Sequence, residues 1–133
     1  MLTDLDTLQE YASCIEDVKR YIRYHIHELL DRETLASVAG FSIPHFHRVF
    51  RAHVGESAIS YVRRTRLHRA GQKLRMGAVD ITEVALAAGY DSHAAFSKAF
   101  KQQFGLSPSE FRQLGCFAAT ELLRKGSIHE DQT

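Results

Sequence analysis

The strongest constraint on this chain is an internal duplication. Residues 34–55, TLASVAGFSIPHFHRVFRAHVG, resemble residues 82–105, TEVALAAGYDSHAAFSKAFKQQFG. Leu35, Ala36, Ala39, Gly40 and Phe41 match Val84, Ala85, Ala88, Gly89 and Tyr90 at an offset of 49. Ser42, Phe46, Arg48, Phe50, Arg51 and Gly55 then match Ser92, Phe96, Lys98, Phe100, Lys101 and Gly105 at an offset of 50. The register continues to Ser57 and Ser107 and to Tyr61 and Phe111, with one residue added near Asp91. A solenoid needs three or more copies, so two copies point to a duplicated unit instead.

Between the copies, residues 57–76 read as one helix with two unlike faces. Ile59, Val62, Arg66, Arg69 and Lys73 recur every three or four residues, a mostly basic set expected to face water or an anion. Tyr61, Arg64, Leu67, Ala70 and Leu74 form a second, mostly apolar set expected to face a core. Ser57 is placed to cap the start, and Gly77 to end it.

The flanks read as shorter helices. Thr7 and Glu10 have capping-box spacing ahead of a stripe of Leu8, Ile15, Val18, Ile22, Ile26 and Leu29, which predicts a helix over about residues 8–30. Asp31 is placed to cap a short helix that ends before Gly40. Ser42 then caps a third, with Pro44 in its first turn. There Phe46, Val49 and Phe50 are expected inside, and Pro44, His47, Arg48 and Arg51 outside. In the second copy Asp80 and Glu83 start a short helix, and Ser92 the next. Phe96, Ala99 and Phe100 are expected inside, and His93, Ala94, Ser97, Lys98 and Lys101 outside. Ser107-Pro108-Ser109-Glu110 opens a further helix that Gly115 ends or bends. Residues 116–125 can form one more helix, ahead of a frayed end at 126–133. No stretch reads as a strand.

Charge is unevenly spread. Net charge is only +1, yet residues 1–42 carry −4, residues 43–76 carry +7 and residues 77–133 carry −2. An unmixed block of arginine, with four histidines among it, suggests a polyanion surface. Other classes find less support. No apolar run approaches the roughly 18 residues of a membrane span, and the acidic N-terminus lacks signal-peptide features. Cys14 and Cys116 form no C-x-x-C, which fits a reducing compartment and packed thiols. His25/His27 and His45/His47 are H-x-H pairs whose members diverge on a helix, so neither is expected to chelate a metal. No nucleophile motif or glycine-rich phosphate loop points to an enzyme, and no cofactor is expected.

Two short helices joined by a glycine turn are the parts of a helix-turn-helix. The first helix braces the second, whose N-terminal residues enter the DNA major groove and meet its base edges. Both candidate reading helices have a packed back and a polar front. Their fronts are unequal: the first offers His47, Arg48 and Arg51, the second Ala94 and Ala95 with Ser97 and Lys98. Arg48 can bond two acceptors of one guanine, and His47 can donate to a base or phosphate. Small alanines touch a thymine methyl but donate nothing.

With A-x-x-x-G-[FY], F-x-[RK]-x-F-[KR], G-x-[ST]-P and a closing [YF]-R in residues 80–112, and R-x-x-x-A at Arg66 to Ala70, the chain resembles the DNA-binding domain of AraC/XylS-family transcription regulators. The resemblance covers about residues 16–113. It implies an all-α fold of two homeodomain-like helix-turn-helix lobes, residues 1–55 and 78–115, joined by a connecting helix at 56–77, with residues 116–133 as a tail. It implies reading helices that enter adjacent major grooves. By position, Ser42, Pro44, His47 and Arg48 match base readers of the first lobe, and His93, Ala94, Ala95, Ser97 and Lys98 those of the second. Arg51, Arg63, Lys101 and Ser107 would face phosphates. Family members usually activate transcription by recruiting RNA polymerase, which implies a partner beside double-stranded DNA and a place in the bacterial cytoplasm, at the nucleoid. Most also carry an effector-binding domain, for which these 133 residues leave no room. The sequence departs from some members at Pro44, where a large aromatic is common, and at Ala94 and Ala95. The competing reading is a protein-binding helical module built on the same fold. Loss of the basic readers would mark such a case, and Arg48, Arg51, Lys98 and Lys101 are all retained.

Overall fold

A computed structural model describes the backbone of residues 4–77 and 80–125, and side chains from residue 9 onward. Eight helices and no strand occur among the described residues. They are α1 (Asp4–Tyr24), α2 (Arg32–Ala39), α3 (Ile43–Val54), α4 (Ala58–Arg75), α5 (Ile81–Ala87), α6 (His93–Phe104), α7 (Pro108–Arg112) and α8 (Cys116–Lys125). The chain forms two compact units that meet inside α4, between Val62 and Arg63.

In the first unit α1, α2 and α3 pack against one another. Ile15, Val18 and Ile22 of α1 are buried with Leu35, Phe46, Phe50 and Tyr61. The predicted first helix is displaced at both ends. Its backbone is already helical at Asp4, so Thr7 lies inside the helix rather than at its start; the side chains of Thr7 and Leu8 fall outside the described residues. It stops at Tyr24, where the N–H of His25 still bonds the carbonyl of Tyr21 and that of Glu28 turns back to His25. The His25 ring stacks on Tyr21 and its Nδ1 lies 2.6 Å from a Glu28 oxygen. Ile26 and Leu30 reach the core from this turn, but Leu29 is 78% exposed. Apolar spacing persisted across a break in the helix, which is why it concealed the break.

The caps repeat with the sequence. Asp31 accepts from the N–H of Thr34, and Asp80 from those of Thr82 and Glu83. Ser42 accepts from His45 N–H and Ser92 from Ala95 N–H, each satisfying a donor that the first helical turn leaves open. Gly40 and Gly89 take φ of 75° and 91°, a left-handed turn that a side chain would strain. Core rings repeat as well. Phe50 meets Tyr61 edge-on at 5.7 Å and 77°, and Phe100 meets Phe111 at 5.3 Å and 77°.

The second unit uses the later part of α4 as its bracing helix. Leu67, Ala70 and Leu74 are buried with Val84, Phe96, Phe100 and Phe111. Their spacing is that of Ile15, Val18 and Ile22, so α4 serves the second lobe as α1 serves the first. Helix α7 opens with a reciprocal box, Glu110 N–H to Ser107 Oγ at 3.1 Å and Ser107 N–H to Glu110 Oε1 at 2.9 Å, and ends before Gly115. Helix α8 belongs to this core. Ala119 and Leu123 are buried in it, and Arg75 donates to the Thr120 hydroxyl at 3.1 Å. Gly71 lets α8 approach, since a Cβ there would run into Leu123. Residues 126–133 lie outside the described part of the chain.

Candidate nucleic-acid interface

In the first unit α3 buries Phe46, Val49 and Phe50 and leaves Ser42, Pro44, His47, Arg48 and Arg51 exposed. A twelve-residue helix capped by Ser42 therefore presents an imidazole and two guanidinium groups from a fixed back. His45 is held differently. Its Nε2 lies 3.3 Å from the Tyr11 hydroxyl and its ring 4.5 Å from that of Phe41, so it fastens α3 to α1 instead of joining the front. Cys14 donates to the Ala39 carbonyl at 3.3 Å, and burial, reinforced by Asp17, pushes its thiol up, which fits packing rather than reactivity.

In the second unit α6 buries Phe96, Phe100 and Phe104. His93, Ala94, Ala95, Lys98 and Lys101 are exposed, while Ser97 is half-buried. This front offers cations at Lys98 and Lys101 and two exposed alanines. Ser107 is half-buried, with its hydroxyl engaged by Glu110 N–H.

The basic face expected on α4 is not a free one. Val62 is buried, and Arg66 and Arg69 are half-buried; Ile59 and Lys73 are exposed, as is the neighbouring Arg63. Each unit claims one part of this helix, and a half-buried arginine can lay its stem along protein while its head stays at water. Arg66 runs beside Gly89, its guanidinium and Cδ within 4 Å of where a Cβ would stand. Burial pushes the Tyr90 phenol up, against a smaller opposing pull from Arg63 and Arg66. The sequence pattern marked charge but could not show which stems the fold would use. Among the described residues no cluster of His, Cys, Asp or Glu could hold a metal ion, and no helix is long and apolar enough to cross a membrane.

Residues 35–114 match a family described as "Helix-turn-helix domain". The Transposon Tn10 TetD protein of Escherichia coli is 32% identical over 110 residues, 83% of this chain and 80% of that protein. The chain belongs to the AraC-type helix-turn-helix family. The Right origin-binding protein of Escherichia coli K12 is 32% identical over 104 residues, 78% of this chain. An uncharacterized regulator of Bacillus subtilis, YbfP, is 33% identical over 102 residues, 77% of this chain. The chain spans only 36% and 35% of the length of these two. Among solved structures, the DNA-binding domain of AdpA in complex with a target DNA aligns with a TM-score of 0.67 at 32% identity, over 74% of this chain and 88% of that one. An AraC-type regulator of Chromobacterium violaceum aligns with a TM-score of 0.72 at 27% identity, over 76% and 90%. The all-α double helix-turn-helix architecture is thus shared with the DNA-binding domains of this family.

Proposed function

We propose that this chain binds double-stranded DNA sequence-specifically as a transcription regulator, with α3 and α6 entering adjacent major grooves. The observation that carries the reading is the build of α3: a phenylalanine-packed back behind exposed His47, Arg48 and Arg51. Ser42, Pro44, His47 and Arg48 read base edges in the first lobe, and His93, Ala94, Ala95, Ser97 and Lys98 in the second. Arg51, Arg63, Lys101 and the α7 start at Ser107 meet phosphates, which position the protein without reading sequence. The likeness to a domain solved on its target DNA supports the DNA-binding part of this reading. The bound regulator works as an activator that recruits RNA polymerase beside its site in the bacterial cytoplasm.

Selection of sites from random duplexes with this chain, at moderate salt and with heparin as competitor, tests the reading. The expected product is an enriched site with one strongly and one weakly defined block. A pool that stays random, or binding that heparin abolishes for every duplex alike, overturns it.

A further inference from the structure

Ile43 and Ile59 are aliphatic side chains left 36% exposed in the first unit, and they are not scattered. Both line one cleft of about 330 Å³, together with the buried Phe46 and Ala58. Its polar lining comes from three different places on the chain: Arg32 at the start of α2, His47 and Arg51 on α3, and Ser57 at the cap of α4. Two arginines and a histidine therefore border apolar walls, and among the described residues no carboxylate lines the cleft.

Ligand sites of this kind run from roughly 300 to 1,000 Å³, mostly apolar with a few polar groups that fix orientation. This one lies at the small end, large enough for a single ring with one substituent. An inorganic anion would satisfy the guanidinium groups but leave the two isoleucines facing water. A neutral hydrocarbon would cover the isoleucines but strip water from charged groups and give nothing back. A carboxylate on a compact apolar body meets both requirements, since the arginine fork matches carboxylate geometry.

We infer that the first lobe binds a small organic carboxylate in this cleft, and that the ligand competes with DNA. The site stands on the geometry of the first unit. The competition rests on the DNA reading proposed above, because His47 and Arg51 would be engaged by both.

The test titrates the isotope-labelled chain with benzoate by NMR, at constant pH and ionic strength. Saturable shifts are expected at the amides of Ile43, His47, Ala58 and Ile59, while those of α6 stay still. Benzamide and inorganic phosphate should each bind at least about fivefold more weakly, as loss of either the charge or the apolar body predicts. The double substitution Arg32→Gln with Arg51→Gln, with its helical circular dichroism unchanged, should weaken benzoate by a similar factor. Phosphate binding as well as benzoate would overturn the proposal, since the cleft would then be no more than a basic rim. Absence of a saturable benzoate shift would overturn it too. With a selected duplex, benzoate at ten times its Kd should weaken DNA binding roughly tenfold. Benzoate in the cleft with duplex affinity unchanged refutes the competition. A chain that selects no duplex sinks the DNA reading and leaves the NMR result standing.

Discussion

The two units share a framework and differ in what is laid over it. Caps at Asp31 and Asp80, caps at Ser42 and Ser92, turns at Gly40 and Gly89 and the edge-on ring pairs at Phe50 and Phe100 all recur. The outer face of α3 carries His47, Arg48 and Arg51, and that of α6 carries Ala94, Ala95, Lys98 and Lys101. The closing elements differ as well. The first unit is braced by its own α1, whereas the second borrows α4 and adds α8. The repeat therefore keeps what folding needs twice, while the exposed fronts differ. A helix front is solvated, so changing it costs little stability, while a buried phenylalanine is held in place by every neighbour it touches.

The largest expected effect tests the added helix. Leu123→Ala removes the side chain that fills the space above Gly71 and Phe100, and should destabilise the second unit by about 2–5 kcal/mol. Amide exchange should speed up in α5 to α8 and leave α1 to α3 unaltered. Equal loss in both units would show that they unfold together and that the comparison does not hold energetically. Next in size is the contrast between the fronts. Arg48→Ala should cost about 1–3 kcal/mol of affinity for the selected duplex and relax preference at one position, if it reads a base. Lys98→Ala should cost less and relax less. Site selection repeated with each variant measures both, and a larger loss of base preference from Lys98→Ala would reverse the ranking of the lobes.

The repeat made the framework legible, because caps and glycine turns are local devices whose residues announce themselves. The ends of α1 were not legible. Ile26 and Leu30 keep helical spacing while the backbone between them turns, and spacing alone does not report backbone. The α4 face was misread for a different reason. Val62 and the half-buried Arg66 and Arg69 lie on a helix that two units share, so one stripe of charge faces protein along part of its length. Arg32 could not be grouped with His47 and Arg51 from the sequence at all. They are separated along the chain and meet only because α2 and α3 pack. His45 sits within the run of candidate readers, yet the Tyr11 hydroxyl and the Phe41 ring take it.

A smaller effect separates the two glycine turns. Phe41 follows the first and Tyr90 the second, and the Tyr90 hydroxyl is buried with no hydrogen-bond partner among the described residues. A buried hydroxyl without a partner carries an uncompensated desolvation cost. Tyr90→Phe should therefore make the second unit match the first at this position and stabilise it by about 1 kcal/mol. Denaturant unfolding followed through probes in α5 and α6 gives the sign, and a loss of stability would mean that the hydroxyl has a role the packing does not reveal.

The smallest effect lies where α4 and α7 start. Ser57 and Ser107 cap equivalent helices, but only Ser107 has a carboxylate three residues on that returns the bond. In the first unit residue 60 is Ser60, whose N–H bonds Ser57 and whose hydroxyl donates to Glu56. Bonds from Ser107, its backbone N–H foremost, hold the Glu110 carboxyl below the ordinary value of 4.5. A depressed folded value means stability that is complete above the unfolded value and disappears as pH falls through the folded one. On acidification the start of α7 should loosen in that window, and the start of α4 should respond differently because its cap has no such carboxylate. Glu110→Gln keeps an acceptor for the Ser107 N–H but removes the titration, so its α7 amides should exchange at a rate that no longer follows pH beyond the intrinsic chemistry. Exchange at Ser107 and Ser60 compared across the acid range in the parent and the variant decides it. A Glu110 carboxyl that titrates at or above the ordinary value would show that the reciprocal cap does not operate in solution, and the two helix starts would then be alike.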